Sequence, residues 1–85
     1  MSYEINILSN AERTLRKLPR PLQIRISAEI MKLADDPRPH GYIQLKGTED
    51  GYRIRIGDYR VLYSIDDGIK IIAVFKIAHR KDAYR

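Results

Sequence analysis

The sequence predicts a small α+β domain, in which a two-helix hairpin packs on one face of a mainly antiparallel sheet. An alternating apolar and polar segment opens the chain, and two helical stripes follow it. Three strand-like runs separated by short turn signals then form a C-terminal three-stranded meander. With 85 residues the chain is long enough for one such unit with a small core, so we expect residues 1–85 to form a single domain.

The first half of the chain is predicted to form one strand and two helices. Residues 3–8 alternate apolar and polar side chains, as a half-buried strand does. Ser9 and Glu12 have the spacing of a capping box, Pro19 ends the first helix, and Pro21 suits the first turn of the second. The apolar positions recur at helical spacing: Ala11, Leu15 and Leu18, then Leu22, Ile26, Ile30 and Leu33, with Ile24 and Met31 widening the second stripe.

The second half is predicted to form the sheet that these helices cover. The prolines of residues 35–40 end the second helix, and residues 42–46 form a short extended segment with Leu45 in the core. The turn signals Gly57-Asp58 and Asp67-Gly68 divide the remainder into strands at residues 52–56, 59–66 and 69–78. Because the last strand is apolar on both faces, we expect it between the meander and the N-terminal strand.

Arginines are concentrated on the predicted outer face of this sheet. Arg53 and Arg55 alternate with isoleucines, and a two-residue turn would pair Ile56 with Tyr59 and set Arg55 opposite Arg60. Like charges directly opposite one another destabilise a hairpin, which suggests that they serve an anionic partner, with RNA phosphate the leading candidate. An exposed cationic edge that blocks aggregation is the alternative.

Composition narrows the classes of function that this chain can have. The net charge is +5, and residues 52–85 carry eight Lys/Arg against four Asp/Glu, so +4 of the excess belongs to the C-terminal half. The absence of cysteine excludes disulfides, thiolate metal sites and thiol nucleophiles. The longest apolar run is too short to span a bilayer, and the N-terminus lacks a signal-peptide pattern. We expect a cytoplasmic protein with no membrane partner.

If the anionic partner is RNA and the chain cleaves it, few protein groups are needed, because the substrate's own 2′-hydroxyl can attack the adjacent phosphate. Arginine meets phosphate in a bidentate way, and Arg60 and Arg80 are predicted to stabilise the charge that grows on its oxygens. Tyr84 could stack on a base or place the 2′-hydroxyl. His79 is the nearby group that titrates close to neutrality. His40 and His79 are dispersed, so neither a metal site nor a cofactor is expected.

Three segments resemble the RelE/ParE toxin superfamily of bacterial toxin–antitoxin pairs, and within it the RelE-type messenger-RNA interferases. They are the Leu45-Lys-Gly47 entry, the hairpin from Gly51 to Tyr63, and the Ile77-Ala-His-Arg-Lys-Asp-Ala-Tyr84 ending. The resemblance implies a ribosome-dependent endonuclease that cuts mRNA in the decoding site. It also implies a cognate acidic antitoxin that wraps the toxin in a hetero-oligomer and neutralises it.

The resemblance also assigns roles to residues. The family's hairpin cations fall on Arg53, Arg55 and Arg60, its later cation on Arg80, and its terminal tyrosine on Tyr84. Because arginine keeps its proton where the family often has lysine, Arg53 and Arg55 receive no base role. The predicted catalytic residues are therefore Arg60, Arg80, Tyr84 and His79. The predicted RNA-binding residues are Arg53, Arg55, Lys46, Lys81 and Arg85.

Two other functions are compatible with the same pattern. One is a ParE-like protein that inhibits a DNA topoisomerase by binding, without catalysis. The other is a catalytically degenerate member that serves only as the antitoxin's partner, which the replacement of family lysines by arginine allows. The joint presence of Arg60, Arg80 and Tyr84 favours the nuclease, because a pure binding toxin needs no constellation centred on phosphate.

Overall fold

The computed structural model describes residues 2–47 and 51–82, and within them the predicted order of helices and strands is confirmed. No helix in these two ranges is long and apolar enough to cross a membrane. The elements are β1 Glu4–Ile7, α1 Ser9–Lys17, α2 Arg20–Lys32, β2 Ile43–Gln44, β3 Gly51–Ile56, β4 Tyr59–Asp66 and β5 Ile71–His79.

One five-stranded sheet runs in the order β1-β5-β4-β3-β2. β1 pairs with β5 in parallel, while β2 to β5 pair as antiparallel neighbours. The prediction that the last strand lies between the meander and the N-terminal strand is confirmed. Its residues Ile72 and Val74 are fully buried, as expected for a strand covered by its neighbours and by the helices.

The core lies between the two helices and one face of the sheet. Val61 pairs with Ile54 on one side and with Ile77 on the other, which gives a continuous apolar row across three strands. Tyr63 is fully buried in the same layer, and Tyr59 packs against this core, so both tyrosines contribute to the fold. The helices contribute Ala11, Leu15, Ile26 and Ile30, and the C-cap residue of α2 contributes Leu33.

Two details of the helices differ from the sequence prediction. The capping box is wrong: α1 begins after an N-cap at Leu8 without a side-chain cap, and the Glu12 carboxylate instead accepts a bond from Arg16 one turn later. The predicted widening of the α2 stripe is also wrong. Ile24 is 59% exposed and Met31 57% exposed, because the sheet covers only the side of α2 that carries Ile26.

The first turn of the meander is as predicted. Gly57 has φ +61°, a left-handed conformation at the first central position that glycine adopts without steric cost. A Cβ at this position would also lie 3.4 Å from Nη1 of Arg25. The turn therefore sets the register of β3 against β4, with Ile56 opposite Tyr59 as expected.

The second turn is longer than predicted, and β5 begins at Ile71 rather than at residue 69. Asp66 pairs with Ile71, which leaves four residues in the turn. The carboxylate Oδ1 of Asp66 accepts the N–H groups of Gly68 and Ile69 at 3.0 and 3.2 Å. A side-chain acceptor therefore organises a turn that the Asp-Gly pair alone suggested would have two residues.

A β-bulge between β4 and β5 changes which side chains face the helices. Leu62 pairs with Lys76, but Tyr63 pairs with Val74, so Phe75 is the extra residue. An unbroken ladder from the second turn would point Lys76 toward the helices and Ile77 outward. The bulge reverses both, and Ile77 becomes 2% exposed in the core.

β2 is shorter than the predicted segment, and Leu45 is half-buried rather than in the core. The strand pairs Ile43 with Arg53 and Gln44 with Tyr52. Its ladder is continued at one end by the Leu45 N–H, which donates to the Gly51 carbonyl at 2.9 Å. At the other end it stops, so β3 beyond Arg53 forms an open edge of the sheet.

A polar clasp joins the loop after α2 to the β4–β5 turn and to the residue that precedes β1. Arg38 donates to the Asp67 carboxylate at 2.9 Å, and the Tyr3 hydroxyl donates to the same carboxylate at 2.6 Å. The bond from Arg38 is the larger cause of a lowered pKa of Asp67, and the bond from Tyr3 is the second. Nearby, the Tyr63 hydroxyl donates to the Pro37 carbonyl at 2.7 Å, and burial raises the pKa of Tyr63.

We expect Asp67→Asn to reduce stability at neutral pH and to have little effect in strong acid. The folded pKa of Asp67 lies below its ordinary value of 3.8, so its stabilisation is present above that value and lost as the pH falls through the folded pKa. Urea unfolding midpoints at pH 7 and in strong acid measure the difference. Asp35→Asn, at an exposed aspartate, is the matched control, and an equal loss in the two variants would contradict a role for the clasp.

Candidate nucleic-acid interface

Arg53, Arg55 and Arg60 lie on the side of the sheet opposite the helices, which we call the arginine face. The register sets Arg55 directly opposite Arg60, as the sequence predicts. Side chains alternate along each strand, so Arg53 lies on the same side two residues from Arg55. Three cations thus meet within two neighbouring strands, where their repulsion favours binding of an anion.

Arg53 is buried, whereas the sequence suggested an exposed cation. It is 8% exposed and pairs with Leu62, which is itself 5% exposed although it faces away from the helices. Lys76 pairs with Leu62 from the other strand. Leu62 therefore lies between two long cationic side chains whose aliphatic stems can cover it. This packing restricts Arg53 far more than an exposed arginine would be restricted.

Two guanidinium nitrogens on the arginine face are buried without a hydrogen-bond acceptor among the described residues: Nε of Arg53 and Nη1 of Arg60. A buried donor left unpaired costs roughly 1–3 kcal/mol, more where the group is charged. A phosphate or carboxylate oxygen can accept both the charge and the hydrogen bonds. The face is therefore built with donors that an anionic ligand would satisfy.

Further cations lie where β5 ends beside the first turn. The Arg80 N–H donates to the Asp58 carbonyl at 2.8 Å, which extends the β4–β5 ladder one step and fixes Arg80 beside the turn. The side chains of Arg80 and Lys81 are exposed. Arg25 approaches Gly57 from α2. The positive charge therefore continues from the arginine face around the end of the hairpin.

The structure does not bring His79 onto the arginine face. His79 pairs with Tyr59, so it lies on the helix side of the sheet, and the two rings meet edge to face at 5.5 Å. Its Nδ1 accepts the Lys81 N–H at 3.3 Å. A neutral imidazole bonded in this way carries its proton on Nε2.

Comparisons with known proteins fit this architecture. The family model described as "ParE toxin of type II toxin-antitoxin system, parDE" matches residues 5–84. The chain belongs to the RelE/ParE toxin family. Toxin RelE of Mycobacterium tuberculosis is 32% identical over 84 residues, which cover 98% of this chain and 87% of that toxin. Toxin RelG of the same organism is 31% identical over 86 residues, covering 100% and 99% of the two chains.

A solved structure extends the similarity to three dimensions. The archaeal RelE–RelB complex from Pyrococcus horikoshii contains a chain that matches with a TM-score of 0.85 and 34% identity. The match covers 98% of this chain and 100% of that one. The sequence resemblance to RelE/ParE toxins is therefore confirmed at the level of both family and fold.

The remaining predicted residues of this RelE/ParE family member are dispersed. Lys46 is exposed beside the start of β3, roughly 13 Å or more along the strand from Arg55 at 3.3 Å per residue. Tyr84 and Arg85 lie outside the described residues. The sequence analysis did not include Lys76 or Arg25 among the site residues. Lys76 faces this side only because of the β-bulge, and Arg25 is near it only because α2 packs beside Gly57. Within residues 2–47 and 51–82, no group of three His, Asp or Glu could hold a metal ion.

We expect inorganic phosphate to raise the melting temperature of the protein more than sodium chloride does at equal ionic strength. Binding to the folded state stabilises it by RT ln(1 + [L]/Kd), about 1.4 kcal/mol at ten times Kd, or roughly 6–11 °C for a domain of this size. Arg60→Met should remove most of this shift. Arg13→Met, an exposed arginine on α1, is the control, and equal shifts in both variants would exclude Arg60 from anion binding.

Proposed function

We propose that this protein is the toxin of a type II toxin–antitoxin system and acts in the cytoplasm as a ribosome-dependent mRNA endonuclease. The observation that carries the proposal is the pair of buried, unaccepted guanidinium N–H groups of Arg53 and Arg60 on a face where Arg55 and Arg60 oppose each other. Such a face suits a backbone phosphate. Family membership supplies the toxin context.

The proposed reaction uses the 2′-hydroxyl of the RNA as nucleophile. Its oxygen attacks the adjacent phosphorus, the bond to the 5′-oxygen breaks, and a 2′,3′-cyclic phosphate and a free 5′-hydroxyl result. Arg60 and Arg80 stabilise the charge on the phosphoryl oxygens through hydrogen bonds that strengthen as that charge grows. Arg53 and Arg55 hold flanking phosphates, with Lys81 beyond them. Fixing the backbone on both sides of the cleaved bond favours in-line attack.

The residues at the end of β5 and beyond it are proposed to position the RNA, and proton transfer is assigned to groups outside the chain. Tyr84 is proposed to stack on a base or to position the 2′-hydroxyl, and Arg85 and Lys46 to contact outer phosphates. His79 could reach the reacting phosphate only if the RNA passed around the end of β5, because its ring lies on the helix side. The ribosomal RNA and solvent are therefore the stronger candidates for the base.

The proposed protein partner is an acidic antitoxin that neutralises the toxin in a hetero-oligomer. The C-terminal half of the chain carries a net charge of +4, which favours encounter with an acidic protein as well as with RNA. The similar Pyrococcus horikoshii RelE was solved in complex with RelB. An antitoxin that covers the arginine face would block phosphate binding without any change in the toxin's fold.

Inhibition of a DNA topoisomerase by binding alone is the second candidate function. The match to a family model described as a ParE toxin favours it. That function needs a docking surface but no group that stabilises charge on a reacting phosphate. The two candidates therefore differ in whether the purified protein cleaves mRNA on ribosomes.

We expect Arg60→Met to reduce single-turnover cleavage of ribosome-bound mRNA by on the order of 100-fold at saturating ribosomes, as the loss of an oxyanion donor does. Methionine keeps an aliphatic stem of similar reach and removes the charge. Arg55→Met should instead weaken binding and reduce the slope of log K against log salt by about 1, as loss of one phosphate contact does. Arg13→Met should leave both quantities unchanged. If Arg60→Met cleaved mRNA at the wild-type rate at saturating ribosomes, Arg60 would have no role in the chemical step.

We expect induction of the wild-type protein to arrest growth and to produce new 5′ ends within translated messages, in register with the reading frame. Mapping mRNA ends after induction measures this directly. The cuts should disappear when an acidic antitoxin is co-expressed, and when translation of a reporter message is blocked by removing its start codon. Growth arrest with intact messages would favour the topoisomerase candidate instead.

A further inference from the structure

The β-bulge in β5 brings an aromatic and a cationic side chain together beside the arginine face. Lys76 pairs with Leu62 on the side of the sheet away from the helices. Val74 pairs with Tyr63 on the helix side, and Phe75 lies between the two pairs without a partner in β4. β-bulges re-aim side chains and occur often beside functional sites. We call Phe75 and Lys76 together the bulge site.

Phe75 does not pack in the core. It is half-buried, and among the described residues it belongs neither to the core cluster nor to the side chains that pack against that cluster. Ile72 and Ile77, which face the helices from the same strand, are almost completely buried. A phenylalanine on the helix side would gain the same burial. The ring of Phe75 therefore lies on the outer side of the sheet, next to Lys76.

The backbone that carries this ring is held in place by the start of α1. The Phe75 carbonyl accepts a hydrogen bond from Nδ2 of Asn10 at 3.4 Å. The Leu8 N–H donates to the Val74 carbonyl at 2.9 Å, which fixes the preceding peptide group as well. A binding group whose backbone is already fixed loses less entropy when it binds a ligand. Leu8 is itself 45% exposed, so the bulge site borders a strip of apolar surface.

The bulge site lies within one row of the arginine face. Lys76 is opposite Leu62 and Leu62 is opposite Arg53, so two strand spacings, about 10 Å, separate Lys76 from Arg53. Arg60 lies on β4 two residues from Leu62 and faces the same side. Single-stranded RNA needs positive charge for its phosphates and an aromatic surface for its unstacked bases. The outer side of the sheet offers both within this short distance.

We propose that Phe75 stacks on one nucleobase of the substrate RNA and that Lys76 contacts a phosphate of the same strand. The identity of the ligand as RNA rests on the proposed nuclease function. Phe75 is a positioning residue: it fixes the strand beside the cleaved bond and leaves the stabilisation of charge to Arg60 and Arg80. Because every base has a π-face, this contact adds affinity without reading the sequence.

A nucleotide uses the two parts of the bulge site together better than a peptide does. An acidic peptide would use Lys76 but would gain little more from a phenylalanine beside it than from a leucine of similar bulk. An aliphatic partner would use the ring and leave the cation without a ligand. A base stacks on the face of an aromatic ring while its own phosphate meets the neighbouring ammonium group. Replacing Phe75 by leucine therefore separates these ligands.

The first test uses tryptophan fluorescence, because the chain contains no tryptophan of its own. Phe75→Trp is titrated with a single-stranded oligoribonucleotide of roughly six nucleotides, whose 2′-O-methyl groups prevent cleavage. We expect saturable quenching by this RNA and much less quenching by inorganic polyphosphate, which carries no bases. Tyr42→Trp is the matched control, because Tyr42 contacts Tyr52 on the helix side at 6.0 Å. Equal quenching of the two variants, or by the two ligands, would overturn the proposal, and so would failure of the RNA to bind the wild type at low salt.

The second test separates stacking from charge by anisotropy of the same RNA carrying a label. Phe75→Leu keeps an apolar side chain and removes the aromatic face, so we expect binding to weaken roughly fivefold or more with an unchanged slope of log K against log salt. Phe75→Tyr should bind like the wild type. Lys76→Met should instead reduce that slope by about 0.7, the share of one phosphate contact on a single strand. Wild-type affinity of folded Phe75→Leu would overturn stacking.

Abasic nucleotides identify the stacked base without depending on protein variants alone. Placing one abasic nucleotide at each position of the RNA in turn should reveal a position where the wild type loses affinity and Phe75→Leu loses none further. Additive losses at every position would contradict the proposal. These binding assays use neither ribosomes nor cleavage, so their failure leaves the nuclease proposal standing, and a failed cleavage assay leaves them valid.

Discussion

The register of β3 against β4 is the constraint on which the other features depend. The left-handed φ of Gly57 permits a two-residue turn, and this turn places Val61 opposite Ile54 on one face and Arg60 opposite Arg55 on the other. A shift of one residue would exchange these faces, burying charge and exposing the apolar row. Core and interface are therefore specified together, and the energy of the apolar row holds the arginines against their mutual repulsion.

On the arginine face the side chains are restricted by packing, and some of their N–H groups have no hydrogen-bond acceptor among the described residues. Leu62 is buried on the outer side between Arg53 and Lys76, so the cationic side chains lie along the sheet instead of extending into water. Burial limits their rotamers but also removes water from some of their donors. A site that binds a charged backbone benefits from both effects, because less entropy is lost on binding and each new hydrogen bond replaces an unpaired donor.

The groove beside the open edge of β3 is lined by Arg53 and Arg55, which also belong to the arginine face. The short β2 makes this possible: a longer strand would pair Arg55 and close the edge. The polar clasp of Arg38 and Asp67 anchors the loop that leads into β2 and so helps to define where the edge opens.

Local sequence patterns determined most of the fold: the order of the elements, the first hairpin turn, the central position of β5 and the opposition of Arg55 to Arg60. These follow from alternation, helical spacing and glycine at a turn, which act over a few residues. Tertiary structure alone decided the rest. The bulge at Phe75 turned Lys76 outward, the sheet's limited width left Ile24 and Met31 exposed, and cross-strand packing buried Arg53 and separated His79 from the arginines. Each of these depends on how distant segments share one surface, and no local pattern carries that information.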